Sequence, residues 1–240
     1  MTTLIEPSST STEPRTAANT PVADRAGRPL WPLAGAASGI LALAASMLTL
    51  NQGLDDDDYR RGPEVLSKLD GGLYHAAFVL GLASVALLFV AAAGWKRWSE
   101  DRGGRSLAAR TIPSALAATA TVNIIGVSIA GAMALYLPGG MDEGRFSAEG
   151  QFTNFAYLDF GMLFGWWATI LAAACVTVLA LGRSRLLPRW MGPFSLLAMV
   201  PALALGAIAA LPGMPGLTMP IWLIVISIGM VFSRSAPAAD

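Results

Sequence analysis

The chain has 240 residues, 54% of them hydrophobic and 13% charged, about half the charged share that a water-facing domain needs. Sixteen basic and sixteen acidic residues cancel, which removes the one-signed basic face of a nucleic-acid binder. The single cysteine, Cys175, excludes an internal disulfide and every multi-cysteine metal framework.

Residues Met1 to Arg28 are Ser-, Thr-, Pro- and Ala-rich with almost no large apolar side chains. Such a segment cannot bury enough surface to offset its ordering entropy, so a disordered cytoplasmic tail is expected over 1–28. The first apolar run begins only at Trp31 and is too long for the core of a secretory signal. Trp31 to Leu50 reads as the first membrane span, with Pro32 in its first turn. Gly35 and Gly39 offer a small-xxx-small face for a neighbouring helix. The loop that follows carries Asp55-Asp56-Asp57-Asp58. These carboxylates lack the alternating spacing that wraps a calcium loop, so they are expected to repel one another and stay solvated. Gly62-Pro63-Glu64 starts a short helix with Leu66 and Leu69 on its apolar side.

The second span is expected over 72–95, entered through Tyr74 and His75 and left through Trp95-Lys96-Arg97-Trp98. The third covers 111–137, with Pro113 in its first turn, Asn123 near its middle and Pro138-Gly139-Gly140 at its end. The fourth, 156–182, organises the chain. Gly161 to Gly182 is 22 residues without a charge, about 33 Å of helix and enough for a bilayer's hydrocarbon core. An aromatic and acidic lip, Phe155 to Phe160, opens it, and Arg183, Arg185 and Arg189 close it. Gly161, Gly165, Thr169 and Ala173 recur every four residues and predict one shallow packing face. A fifth span over 192–211 should kink at Pro201, and after the hairpin Pro212 to Gly216 a sixth covers 217–233, leaving the tail 235–240.

Charge placement orients these spans. With the N-terminus inside, twelve of the sixteen basic residues fall on the cytoplasmic side, and only Arg60, Arg61, Lys68 and Arg145 fall outside. The positive-inside rule then predicts both termini cytoplasmic, which an even number of spans requires.

Few side chains bear chemistry. His75, the sole histidine, and Asp159 are expected at similar depth near the outer ends of the second and fourth spans, with Asp70 slightly above. A His–Asp pair there would handle protons; the plainer reading is that these residues sit in the headgroup zone and cap their helices. Asn123 is the deepest polar side chain and is expected to hydrogen-bond across to another helix, with a substrate-binding role as the alternative. Thr119, Thr121 and Ser128 extend that stripe, although hydroxyls in membrane helices usually bond their own backbone. Phe146, Phe152, Phe155, Tyr157 and Phe160 read as an interfacial belt. Walker, His-Glu-x-x-His and Gly-x-Ser-x-Gly motifs are all missing, and so is a pair of histidines for haem.

Leu181-Gly182-Arg183-Ser184-Arg185-Leu186-Leu187-Pro188-Arg189-Trp190-Met191-Gly192 resembles a pattern in bacterial six-span membrane proteins grouped as domains of unknown function. There a glycine- and aromatic-containing helix leads through Arg-Ser-x-x-Leu-Pro-x-x-x-Gly into the next helix. The likeness covers mainly residues 155–204, and it implies a bacterial cytoplasmic membrane and no particular activity.

The sequence thus predicts an all-α polytopic membrane bundle of six transmembrane helices over 29–234. It is read as a non-enzymatic structural or interaction protein of the cytoplasmic (inner) membrane. No cofactor, metal or nucleic acid is expected; the partners are the lipid bilayer and a membrane protein or a second copy. The alternative is a small transporter or permease with a polar site between spans two, three and four, drawn from His75, Asn123, Asp159 and Asp70.

Overall fold

The structure, a computed structural model, describes residues 30–50, 52–104, 106–183 and 185–233, with 56, 159–164 and 207 described by their backbone alone. The expected tails 1–28 and 235–240 lie outside these residues. Among the described residues all regular structure is helical: α1 (Pro32–Leu50), α2 (Asp56–Arg60), a 3-10 helix (Gly62–Lys68), α3 (Gly71–Arg102), α4 (Leu107–Tyr136), α5 (Ala148–Phe164), α6 (Trp167–Leu181), α7 (Met191–Ile208) and α8 (Met214–Phe232). Four of them, α1, α3, α4 and α8, are long and apolar enough to cross a membrane.

Packing closes these helices into a ring. α1 lies against α3, α3 against α4, α4 against α6, α6 against α7, α7 against α8, and α8 returns to α1. The outward faces are apolar, as at Ile40 and Met47 on α1, Val79, Phe89 and Val90 on α3, and Ile221 and Ile228 on α8. A helix apolar on both its buried and its exposed sides suits lipid rather than water. The α1–α8 contact runs through the expected glycines. A Cβ on Gly35 would collide with the Ser227 side chain, and one on Gly39 would come within 2.7 Å of the Pro220 carbonyl. Only glycine permits this approach.

The two halves of the ring differ in length. α3 has 32 residues and α4 has 30, about 48 and 45 Å at 1.5 Å per residue. α6 has 15, about 22 Å, too short for a hydrocarbon core of about 30 Å. α5 precedes it in the chain and packs on α4, α1, α8 and the 3-10 helix, beside the acidic loop. Phe155 and Leu158 are its buried anchors.

The expected single helix over 156–182 is therefore two helices, broken at Gly165 and Trp166. Gly165 ends α5 at φ −57°, ψ −19°. Trp166 sits at φ −88°, ψ −1°, in the bridge region where the i→i−4 ladder is lost. The ladder restarts when the Thr169 N–H donates to the Trp166 carbonyl at 3.1 Å. Glycine lowers helix propensity at that point.

Other boundaries shift for local reasons. α3 runs past Trp95 to Arg102 because no glycine or proline intervenes, and it stops at Gly103, before Gly104 at φ +51°. Trp95 and Trp98 are buried. Trp95 packs edge-on to Trp31 at 5.7 Å and to Trp98 at 5.3 Å between ring centroids. α4 starts four residues earlier than expected, capped by Ser106, so Pro113 is interior to the helix rather than in its first turn. The turn between α7 and α8 is 209–213, with Ala210 at φ +49°.

Candidate functional site

At mid-depth the ring interior is polar, and most of that polarity is spent internally. Ser38 on α1 donates to the Ser84 carbonyl on α3 at 2.9 Å, and Ser84 donates back to the Ser38 carbonyl at 2.9 Å. Between α4 and α6, the Thr119 and Thr169 hydroxyls are 2.8 Å apart, and both residues are fully buried. Between α7 and α8, the Trp222 indole donates to Ser195 at 2.8 Å, and Ser195 donates to the Met191 carbonyl at 2.7 Å. Each pair ties adjacent ring helices by exchanging hydroxyls that hydrocarbon would leave unsatisfied.

Asn123 stands at the centre of this layer, half-buried. Its side chain fills the place where a Cβ on Gly165 would be, so the amide lies against the α5–α6 break. Ala42 and Ser46 of α1, Ser84 of α3 and Trp166 line a cavity with it of about 20 Å³, room for one water molecule. Among the described residues the Asn123 amide has no direct hydrogen-bond partner, so the cross-helix bond expected of it is not made. Thr121 and Ser128 bond backbone carbonyls four residues back, as expected of hydroxyls in apolar helices.

The remaining expected site residues lie elsewhere. His75 is exposed on α3, where it lines a separate groove of about 540 Å³ with Phe78, Ser128, Gly131, Ala134 and Met141. Neither that groove nor the cavity beside Asn123 is lined by both residues. Asp70 caps α3, its carboxylate accepting from the Gly72 N–H at 2.7 Å. Asp159 belongs to α5, and its side chain lies outside the described residues.

The acidic loop departs from the expected solvated run. Asp55 caps α2 by accepting from the Asp58 N–H at 2.8 Å. Asp58 is 3% exposed, hydrogen-bonded by the Lys68 ammonium, with Arg61 at 3.6 Å. The Lys68 hydrogen bond, against the opposing effect of burial, holds the Asp58 carboxyl below its usual range. α2 brings this about by turning Asp58 inward, towards the C-terminal end of the 3-10 helix. Beside it, Tyr59 stacks on Phe155 at 5.7 Å between ring centroids. Phe155, expected in an interfacial belt, is 2% exposed and anchors this cap.

Among the described residues no group of three or more His, Cys, Asp or Glu side chains is placed to hold a metal ion. Ser38, Ser46, Ser84 and Trp166 were not singled out by sequence reasoning. The one signal of the three serines is that small hydroxyl residues interrupt apolar helices at positions that face neighbouring helices. No family model, curated protein or solved structure matches this chain.

Proposed function

We propose that the chain is a six-span protein of a bacterial cytoplasmic membrane, with both termini cytoplasmic, acting without catalysis through contacts of its helix faces with a membrane-protein partner. The span count is supported by four long apolar helices together with the shorter apolar α6 and α7. In this reading α5 and α6 jointly make the fourth crossing. Orientation is supported by the arginines and lysine that flank the 103–106 and 182–190 turns. The resemblance carried by 181–192 supports the bacterial setting.

One observation carries the functional reading. The hydroxyls of Ser38, Ser84, Thr119, Thr169 and Ser195 are paired with one another or with backbone, and the central cavity beside Ser46 and Asn123 has room for one water. A permeation path needs space and polar groups for a solute, whereas this interior uses most of its polarity to fasten helices and leaves room for a single water. A second reading, a small permease, is favoured by the α5–α6 break beside Asn123, since discontinuous helices often form transport sites. A photo-crosslinking residue at Ile125, 60% exposed on α4, tests the first reading in native membranes. A discrete protein adduct is expected, and labelling of lipid alone removes the interaction reading. In proteoliposomes loaded with a pH-sensitive dye, proton leak should equal that of empty vesicles. A leak abolished by Asn123→Leu would replace this reading with the permease.

A further inference from the structure

We infer that a groove between the basic ends of α3 and α4 is a binding site for one anionic phospholipid, with its phosphate on Lys96 and Arg110 and an acyl chain along Phe89, Ala93 and Ala117. The groove is about 750 Å³ and is lined by these residues together with Glu100, Ser114 and Pro113 among others. Its chemistry changes along its length. From Phe89 to Lys96 the α3 wall is apolar apart from Gly94 and the buried Trp95, a rise of about 10 Å. The α4 wall opposite is Pro113 and Ala117. Small side chains facing Phe89 leave a trough rather than a packed seam. At its end stand two cations from different helices.

Both cations have capacity left. Lys96 has no ion-pair partner among the described residues, while its neighbour Arg97 is 4.0 Å from Asp101. Arg110 donates to the Gly104 carbonyl at 3.3 Å, which holds the guanidinium at the groove mouth and leaves further N–H donors free. Glu100 faces the same mouth and offsets one charge, so the site carries one net positive charge. A free phosphate would use only the mouth. The apolar trough below it calls for a chain attached to the phosphate, and basic pockets between helices on the cytoplasmic side suit anionic lipid headgroups. This inference rests on α3 and α4 crossing a membrane, and not on how the protein acts there.

The test is lipid competition on the purified full chain, read by native mass spectrometry with equal dioleoyl phosphatidylglycerol and dioleoyl phosphatidylcholine. The protein should retain the anionic lipid by at least about fivefold, the ratio that one net charge at the interface supports. Lys96→Gln with Arg110→Gln should bring the ratio near one. Ala93→Phe, which fills the trough and leaves both charges in place, should do the same and decides the matter if the charge variant does not fold. Arg183→Gln with Arg189→Gln, on the neighbouring basic turn, should leave the preference intact. Equal retention of the two lipids by the unmodified protein would overturn the proposal, as would a preference surviving either groove variant or lost in the Arg183/Arg189 variant. Displacement of the lipid by millimolar glycerol phosphate would mark a free-anion site instead.

Discussion

The contact between Gly165 and Asn123 makes the most direct demand on the sequence. A Cβ at Gly165 would overlap the Asn123 amide oxygen and carbon and lie 3.1 Å from its nitrogen. The amide is penned in by Ser84, Val127 and Trp166 around a cavity of about 20 Å³, so it has little room to retreat. Overpacking of this kind costs about 1–3 kcal/mol. Gly165 already has helical φ and ψ, so alanine would recover up to about 1 kcal/mol of propensity. Gly165→Ala should therefore destabilise by about 1–2 kcal/mol, a fall of about 2–8 °C in Tm for a chain of this size. Thermal unfolding in detergent measures it. In an Asn123→Ala background the obstruction is gone, and the same substitution should become neutral or slightly stabilising. The coupling between the two sites should thus reach about 1–3 kcal/mol. An equal loss of Tm in both backgrounds would refute the reasoning, because the cost would then lie in the break itself.

Two further outcomes follow from the polar contacts. Ser38→Ala and Ser84→Ala should show a coupling of about 0.6–1.7 kcal/mol in a double-mutant cycle of thermal unfolding, the range for hydroxyls exchanged between membrane helices; additive effects would mean the pair does not tie α1 to α3. The Asp58 carboxyl, held below the ordinary carboxylate range by Lys68, should stabilise the acidic-loop cap at pH above that range and lose this contribution as pH falls through its lowered folded pKa. Hydrogen exchange at Val65 to Leu69 should accordingly accelerate as pH falls below about 4, the ordinary aspartate value, beyond its intrinsic pH dependence, and Asp58→Asn should abolish the excess.

Apolar runs and charge placement made the helical class legible, because membrane helices must satisfy their backbone internally and expose apolar side chains. The Gly35–Gly39 face was legible for the same reason: close approach leaves a residue signature. The break at Gly165 was not. Twenty-two uncharged residues look alike whether they form one straight helix or two, and glycine occurs in membrane helices for packing as often as for bending. What decides it is a partner on another helix, Asn123, which fills the space a side chain at Gly165 would need. Asp58 was hidden for a related reason. A run of four aspartates reads as repulsion until Asp55 caps α2 and Asp58 turns inward to meet Lys68, ten residues away. The separation of His75 from Asn123 also depends on rotation about the helix axes, which depth along the sequence does not report.

The break places irregular backbone near the middle of the bundle, and this sets a condition on what the centre can be. Peptide groups outside a helical ladder are tolerated at such depth only where protein or a water-lined cavity shields them. Here α1, α3 and α4 supply the shield through Ala42, Ser46, Ser84 and Asn123. Asn123 is well suited to it: its amide offers both a donor and acceptors, and the adjoining cavity has space for a single water to complete its hydrogen bonds. On this account Asn123 is present because the chain turns there. The hydroxyl pairs Ser38–Ser84 and Thr119–Thr169 add to this, fastening α1 to α3 and α4 to α6 around the break.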